Sequence, residues 1–495
     1  MSADRSHPAS SQRDGNPYDA LAHRRLRAGA ALALCATLML LAPPLSFILL
    51  GALVLGASIT AGVARRQAAA SDRRAREQAG EPIVSLGVSN GREVTLSERE
   101  LAAHALILGA SGSGKSTTML KILTAQIERG APVVALDLKG SPSFAAELQA
   151  AAAAAGRPFR MWSPDGPAHW NPLQHGNATE LKDKLIATER FTEPHYQRAA
   201  ERYVQLALNV LIEARPGRPP AMADVVAALE PDRLRPLLRE LPPERAAGIE
   251  DYLSNLTHDQ LSAVRGLGTR LAIITESHTG AYLEPAGDQI DLREALEGRE
   301  VVVFSLNSSR YGKLAGQLGT LAVQDLITAA GQRLDDGGLH PLAMIAIDEL
   351  SALGTDNVVQ LVVRGREAGF SVLLSTQELA DMERAARGFS DQVLGNTDLK
   401  LFHRQDVPSS ARAVAELGGT FKDWERTFRV GGGLFGQRSE MGGTRRIVDR
   451  FIVEPNTIRT LRTGELVRIT KTPVARTEIV RVPPPRRRER GGPER

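Results

Sequence analysis

Apolar and polar positions along this 495-residue chain fall into three regimes, each predicting a different kind of structure. The first is an uncharged run from Ala28 to Ala64, broken once by Pro43-Pro44. At about 1.5 Å per residue, the roughly 15 residues before the prolines reach about 22 Å and the roughly 20 after them about 30 Å. A tight transmembrane hairpin with the prolines at its turn fits this run, and so does one span over Leu45 to Ala64 after a re-entrant piece. Arg24, Arg25 and Arg27 lie before the run, and Arg65, Arg66, Arg73, Arg74 and Arg76 after it. Positive charge on both flanks puts both ends in the cytoplasm, which requires an even number of spans and favours the hairpin. A cleaved signal peptide fits less well, since the stretch is too long and leads into arginines rather than a small-residue cleavage site.

The second regime alternates short apolar runs with stretches of helical period. Pro82 to Val88 and Glu93 to Leu96 alternate as strands, and Ala105 to Leu108, Val133 to Leu138 and Phe159 to Trp162 read as buried ones. Helices are predicted over Thr117 to Ile127 and Phe144 to Ala155. After an interruption the same rhythm returns, with strands at Val301 to Leu306, Leu342 to Ile347, Phe370 to Thr376 and Leu399 to His403. Helices at Gly316 to Gln332, Asn357 to Glu367 and near Ser409 to Leu417 separate them. Strand, helix, strand in succession predicts an α/β fold with a mostly parallel sheet.

The interruption is the third regime. From about Glu180 to Glu284 helix follows helix, with 3.6-residue spacing through Ala199 to Ile212 and Ile249 to Ile274 and prolines as punctuation. This reads as an all-α insertion. Beyond it, a glycine-rich stretch from Gly431 to Gly443 reads as a loop too flexible for a core, and strands at Ile447 to Val453 and Leu466 to Lys471 complete the pattern. The expected layout is therefore a disordered N-terminus (1–27), a membrane hairpin (28–64), a polar linker (65–80), an α/β domain in two parts (81–178 and 286–472) around the α insertion (179–285), and a disordered basic tail (473–495).

Composition narrows this picture little. The net charge of +4 gives no global nucleic-acid signature, although arginines cluster locally. The single cysteine, Cys35, lies in the apolar run, which excludes disulfides and a cysteine-based zinc site and fits a reducing compartment for the bulk of the chain.

Chemistry enters at residues 104 to 118, HALILGASGSGKSTT. The strand Ala105 to Leu108 runs into Gly109, Ala110, Ser111, Gly112, Ser113, Gly114, Lys115 and Ser116, which fits G-x-x-x-x-G-K-[ST], and Thr117 opens a helix. Glycine lets such a turn present several backbone N–H groups at once to a polyphosphate, at the positive end of a helix. Lys115 is expected on the β- and γ-phosphates, and the Ser116 hydroxyl on Mg²⁺. The strand Leu342 to Ile347 ends in Asp348-Glu349, the partner such a loop needs. Asp348 is expected to hold Mg²⁺ through water, and Glu349 to polarise the attacking water. On the neighbouring strand end, Gln377 is placed to sense the γ-phosphate or orient that water.

Together, the basic-flanked apolar hairpin, GASGSGKST, LDLKG, HWNPL, the α insertion, IDEL, GREAGFSVLLSTQ and LRTGELV resemble the TraG/TraD-like coupling proteins of conjugation and type IV secretion. These belong to the FtsK/HerA group of RecA-like P-loop motor ATPases. The resemblance covers about residues 20 to 472. It implies a RecA-like fold and a homo-hexamer under the bacterial inner membrane, multi-pass with its bulk cytoplasmic, that hydrolyses ATP to move DNA. The implied partners are DNA, a relaxase or relaxosome accessory protein (the TraM-recognition role of such insertions) and the secretion channel. It also implies a trans arginine finger at Arg366, eleven residues before Gln377, with Arg364 and Arg404 as alternatives. An FtsK/HerA-type double-stranded DNA pump, and a protein-secretion ATPase that moves no DNA, remain as other readings.

Overall fold

The computed structural model describes residues 81–484 apart from 339, 354 and 433–437. The membrane hairpin expected at 28–64 lies outside the described residues, and among those described no helix is long and apolar enough to cross a membrane. Two compact units result. One, within the described residues, comprises 81–419 and 451–484, and the other 420–450.

The larger unit is a mixed α/β fold built on one eleven-stranded sheet. Its strands in chain order are β1 (Pro82–Ser89), β2 (Arg92–Ser97), β3 (Ala105–Leu108), β4 (Val133–Asp137), β5 (Phe159–Trp162), then, after a short pair β6 (His169–Trp170) and β7 (Gln289–Ile290), β8 (Val301–Ser305), β9 (Ala343–Asp348), β10 (Phe370–Thr376) and β11 (Leu399–His403). The strands VVALD, VVVFS, AMIAID and FSVLLST are apolar almost throughout because helices cover both faces. Across the sheet the order β11-β3-β10-β9-β4-β8-β5 is parallel throughout. All seven C-terminal strand ends therefore meet at one edge.

Two expectations are corrected downstream. The stretch expected as a loop from Gly431 to Gly443 is, in its described residues, part of a long strand pair, β12 (Thr420–Gly432) with β13 (Arg438–Phe451), the second of which extends the strand expected from Ile447. The signal of β12 was weak because Phe421, Trp424 and Phe428 recur at spacings of three and four instead of alternating. Phe421, Trp424 and Ile447 are exposed, and Arg446 and Arg450 pair with Glu425 and Asp423. The basic tail expected from 473 begins with structure: after β14 (Glu465–Thr470), β15 (Arg476–Arg481) pairs antiparallel with β14 over six residues and touches β1. Arginine, threonine and glutamate in RTEIVR hide an edge-side strand whose buried residue is Val480.

Between β6 and β7 the chain is helical, with helices at Ala178–Ile186, Pro194–Ala214, Met222–Ala228, Pro243–Ser254 and His258–Thr275 among its elements. Asn177 and Thr257 open two of these helices with capping boxes to Glu180 and Gln260. One apolar core runs from the sheet, through Phe304 and Trp162, into this helical segment at Tyr203 and Leu208. The HWNPL motif is the clasp. Trp170 packs edge-on against Trp162 and Phe304, at 5.5 and 4.9 Å between ring centroids. Its Nε1 donates to Asp325 Oδ2 (3.1 Å), and Lys184 Nζ donates to Asp325 Oδ1 (2.8 Å) and to the carbonyls of Pro172 (3.0 Å) and His175 (2.9 Å). Lys184 is fully buried. Removing one member of a buried ion pair costs about 3 to 5 kcal/mol, whereas replacing both by apolar groups is often neutral. Lys184→Met is therefore expected to lower the denaturant midpoint markedly, and Lys184→Met with Asp325→Leu to recover most of the loss.

Candidate nucleotide-binding site

The glycine loop leaves β3 at the edge where the parallel strands end, and the helix Lys115–Glu128 starts from Gly114 at φ 113°, which only glycine holds without strain. Three distant segments seat the loop. Gly109 N–H donates to the Gln377 carbonyl (3.1 Å) and Ala110 N–H to that of Arg404 (2.9 Å). Gly464 N–H donates to the Ser113 carbonyl (2.9 Å), and Thr463 Oγ1 to that of Gly112 (3.2 Å). Below the loop, His403 Nδ1 donates to the Glu465 carbonyl (3.1 Å), which leaves Nε2 to accept from Thr118 Oγ1 (3.1 Å). Burial, with repulsion from Lys115 adding to it, holds the His403 pKa down to about 4, so the ring is neutral at physiological pH.

The residues fit a polyphosphate. Lys115 Nζ folds onto the carbonyls of Gly109 and Ala110, and burial, then the charge of Lys139, lowers its pKa. Ser116 is exposed on the first helical turn, Thr117 is half-buried beside it, and Ser111 and Gly112 face solvent at the loop's tip. The buried Ser113 Oγ has no hydrogen-bond partner.

Opposite the loop lie the acids. β10 separates β9 from β3, so Asp348, Gln377 and the loop line up along three adjacent strand ends. Asp348 accepts from Ser375 Oγ (2.9 Å). Glu349 takes a left-handed conformation, φ 65° and ψ 55°, unusual for a residue with a side chain and of a kind found at functional sites. It is held there by Thr376 Oγ1 (3.1 Å), Gln377 Nε2 (3.1 Å) and Ser351 Oγ (3.0 Å), all donating to its carboxylate. Burial pushes the Glu349 carboxyl up, but the Gln377 bond, the charge of Lys139 and the two hydroxyls outweigh it and leave it below the ordinary value.

One cation in this cluster was not assigned a role from sequence. Lys139 Nζ lies 3.4 Å from both Asp348 and Glu349 carboxylates. Burial alone would lower its pKa, but the two acids win and raise it. It is aimed by its own turn: Asp137 accepts the backbone N–H groups of Lys139 (3.0 Å), Gly140 (3.0 Å) and Ser141 (2.6 Å). A Cβ on Gly140 would fall 2.6 Å from Asn307 Cβ, so LDLKG must end in glycine. The available signal was the LDLKG motif itself, a strand end with a lysine beside the loop strand.

Among the described residues no group of three or more His, Cys, Asp or Glu is placed to hold a metal ion by itself. Ser116 and Asp348 suit Mg²⁺, which takes one or two protein oxygens plus phosphate oxygens and waters. The arginines divide. Arg404 lies at the loop's own edge with its side chain on Asp406 (2.9 Å). Arg364 and Arg366 are exposed where the helix Thr355–Gly365 ends, before β10 begins. At about 3.3 Å per residue, the seven residues of β10 put Arg366 roughly 20 Å from Gln377, at the opposite sheet edge.

A glycine loop opening a helix beside a strand-end acid pair on a parallel sheet defines the class of P-loop nucleotide-binding proteins. Residues 90–479 match the family described as the type IV secretion-system coupling protein DNA-binding domain, and the chain belongs to that family. Solved structures share its fold. The bacterial conjugative coupling protein TrwB, unbound, is 17% identical with a TM-score of 0.57, over 83% of this chain and 90% of that one. The plasmid coupling protein TrwB in complex with ADP and Mg²⁺ is 16% identical with a TM-score of 0.54, over 83% and 91%. VirB4 of Thermoanaerobacter pseudethanolicus is 14% identical with a TM-score of 0.51, over 82% and 96%. No curated protein matches the sequence.

Proposed function

We propose that this chain is a membrane-anchored, ATP-driven DNA translocase. In this reading it acts as a homo-hexameric coupling protein at the bacterial inner membrane and delivers relaxase-bound DNA to a type IV secretion channel. The observation that carries the reading is the acid pair held beside the phosphate loop by Gln377, Thr376 and Lys139, in a chain of the coupling-protein family. TrwB, a relative in fold, has been solved with ADP and Mg²⁺. The backbone N–H groups from Gly109 to Gly114 would cradle the phosphates, with Lys115 neutralising them and Ser116 and Asp348 holding Mg²⁺. The bound metal supplies charge neutralisation at the phosphates. Glu349, ionised and fixed in orientation, takes the proton of the attacking water, and Gln377 ties that carboxylate to the loop through its own backbone. Lys139 sets a cation against both carboxylates and helps hold the Glu349 carboxyl below its ordinary value.

The deciding experiment is ATPase activity of the full chain with and without DNA. Stimulation by DNA is expected, and Lys115→Ala is expected to lose about 100-fold or more in turnover, the scale of one preorganised charge donor. Turnover indifferent to any DNA would favour a secretion ATPase that moves no DNA. An undiminished Lys115→Ala would remove the loop from the chemistry altogether. A second variant tests Lys139. Without its charge the Glu349 pKa rises, so the acid limb of the pH–rate profile of Lys139→Met should move to higher pH. An unmoved limb with reduced turnover would make Lys139 a packing residue.

A further inference from the structure

At the sheet edge opposite the phosphate loop, a cleft of about 370 Å³ opens among the ends of β3, β11 and β14 and the helix Thr355–Gly365. Arg366, Lys400, Lys471, His104 and Asp398 line it. Its charges do not balance. Lys400 sits in the apolar strand LKLFH and is only 3% exposed. Its Nζ donates to the Thr397 carbonyl, and among the described residues it forms no ion pair with a carboxylate. Arg366 and Lys471, both exposed, also form none among the described residues. The carboxylate present, Asp398, already accepts the backbone N–H of Thr472 (3.0 Å). A buried ammonium with one neutral partner is costly, and an anion is what completes it.

His104 adds an independent sign. It is 2% exposed, and its Nδ1 accepts the backbone N–H of Val372 (3.0 Å). The neutral ring must therefore carry its proton on Nε2. That buried N–H makes no well-formed hydrogen bond, and the one backbone group that bears on it is Val362. Burial chiefly, with the Arg366 charge adding to it, holds the His104 pKa down to about 4. Burial, then repulsion from Lys471, lowers that of Lys400 to about 8. The groups around this cleft thus act on one another as a cluster short of negative charge.

We infer that the cleft lined by Arg366, Lys400, Lys471 and His104 is a second anion site, separate from the phosphate loop, that takes a phosphate group. The phosphate is either part of a nucleic-acid backbone or free in solution. The inference stands on the cleft alone and survives if the nucleotide reading fails.

The test uses the full chain carrying Lys115→Ala, so that the phosphate loop is disabled, and titrates inorganic phosphate by calorimetry. Adding Lys471→Ala or Lys400→Met is expected to weaken phosphate binding about 10- to 100-fold, the worth of one bond to a charged group. Should Lys400→Met fail to fold, Lys471→Ala, an exposed position, decides alone. A second arm measures binding of a dT12 oligonucleotide to the otherwise unaltered chain as salt is raised. A salt slope reduced by about 0.7 per lost contact would assign the site to a nucleic-acid backbone. An unchanged slope with weakened phosphate binding would assign it to a free phosphate. Phosphate affinity unmoved by Lys471→Ala, or absent in the Lys115→Ala chain itself, would overturn the inference.

Discussion

Glu349→Gln is expected to bind ATP about as well as the unaltered chain and to hydrolyse it about 100- to 10,000-fold more slowly, the range a positioned general base supplies. The substitution keeps the shape of the side chain and its bonds from Thr376 and Ser351, whose hydroxyls can donate to an amide oxygen. It removes the negative charge and the capacity to take a proton. Binding should survive because the loop rests on Gln377, Arg404 and Gly464 through backbone groups that the change does not touch. Fluorescent-nucleotide titration and single-turnover hydrolysis, run on the same sample, separate the two effects. If affinity falls in step with turnover, Glu349 holds the loop or the metal instead of the water.

This outcome rests on residues that were legible in the sequence for a local reason. The phosphate loop, the strand before it and the helix after it are contiguous, and the acid pair and Gln377 each close a short apolar strand whose end can be read from its own residues. What the chain brings together across long separations was not legible. Lys139 meets Asp348 across 209 positions, and Thr463 meets Gly112 across 351. LDLKG and LRTGELV were visible as motifs, but no periodicity reveals which turn faces which. The same limit applies to Lys400. Inside LKLFH its charge looks like the polar face of a strand, whereas the residue is buried between β14 and β3. β12 and β15 were missed for the opposite reason: both are mostly polar, and the apolar pair Ile479-Val480 of β15 sits on adjacent positions, so alternation, the usual sign of a half-buried strand, never develops.

The other large effect concerns assembly. A single chain brings Lys115 and Lys139 to the acid edge, but Arg366 stands at the far edge, with the length of β10 between it and Gln377. It has no route to its own site. If it contacts a phosphate during turnover, that phosphate belongs to a neighbouring copy, where a trans arginine is worth about 10³- to 10⁵-fold in rate in related NTPases. Arg366→Ala is therefore expected to be folded and to bind ATP, yet to be inactive when assembled alone. Mixed with Lys115→Ala, it should regain partial turnover if copies assemble, because one interface can then pair an intact loop with an intact arginine. Activity of the unaltered chain should also rise more than linearly with concentration until assembly is complete. The anion cleft does not confuse this result, since Lys471→Ala removes a cleft cation and leaves Arg366 in place. Recovery in the mixture together with full turnover of Lys471→Ala would separate a trans finger from a phosphate site that merely shares the residue. No recovery at any ratio, in a mixture shown to co-assemble, would count against Arg366. Attention would then shift to Arg404, whose backbone already anchors the loop and whose guanidinium would first have to leave Asp406.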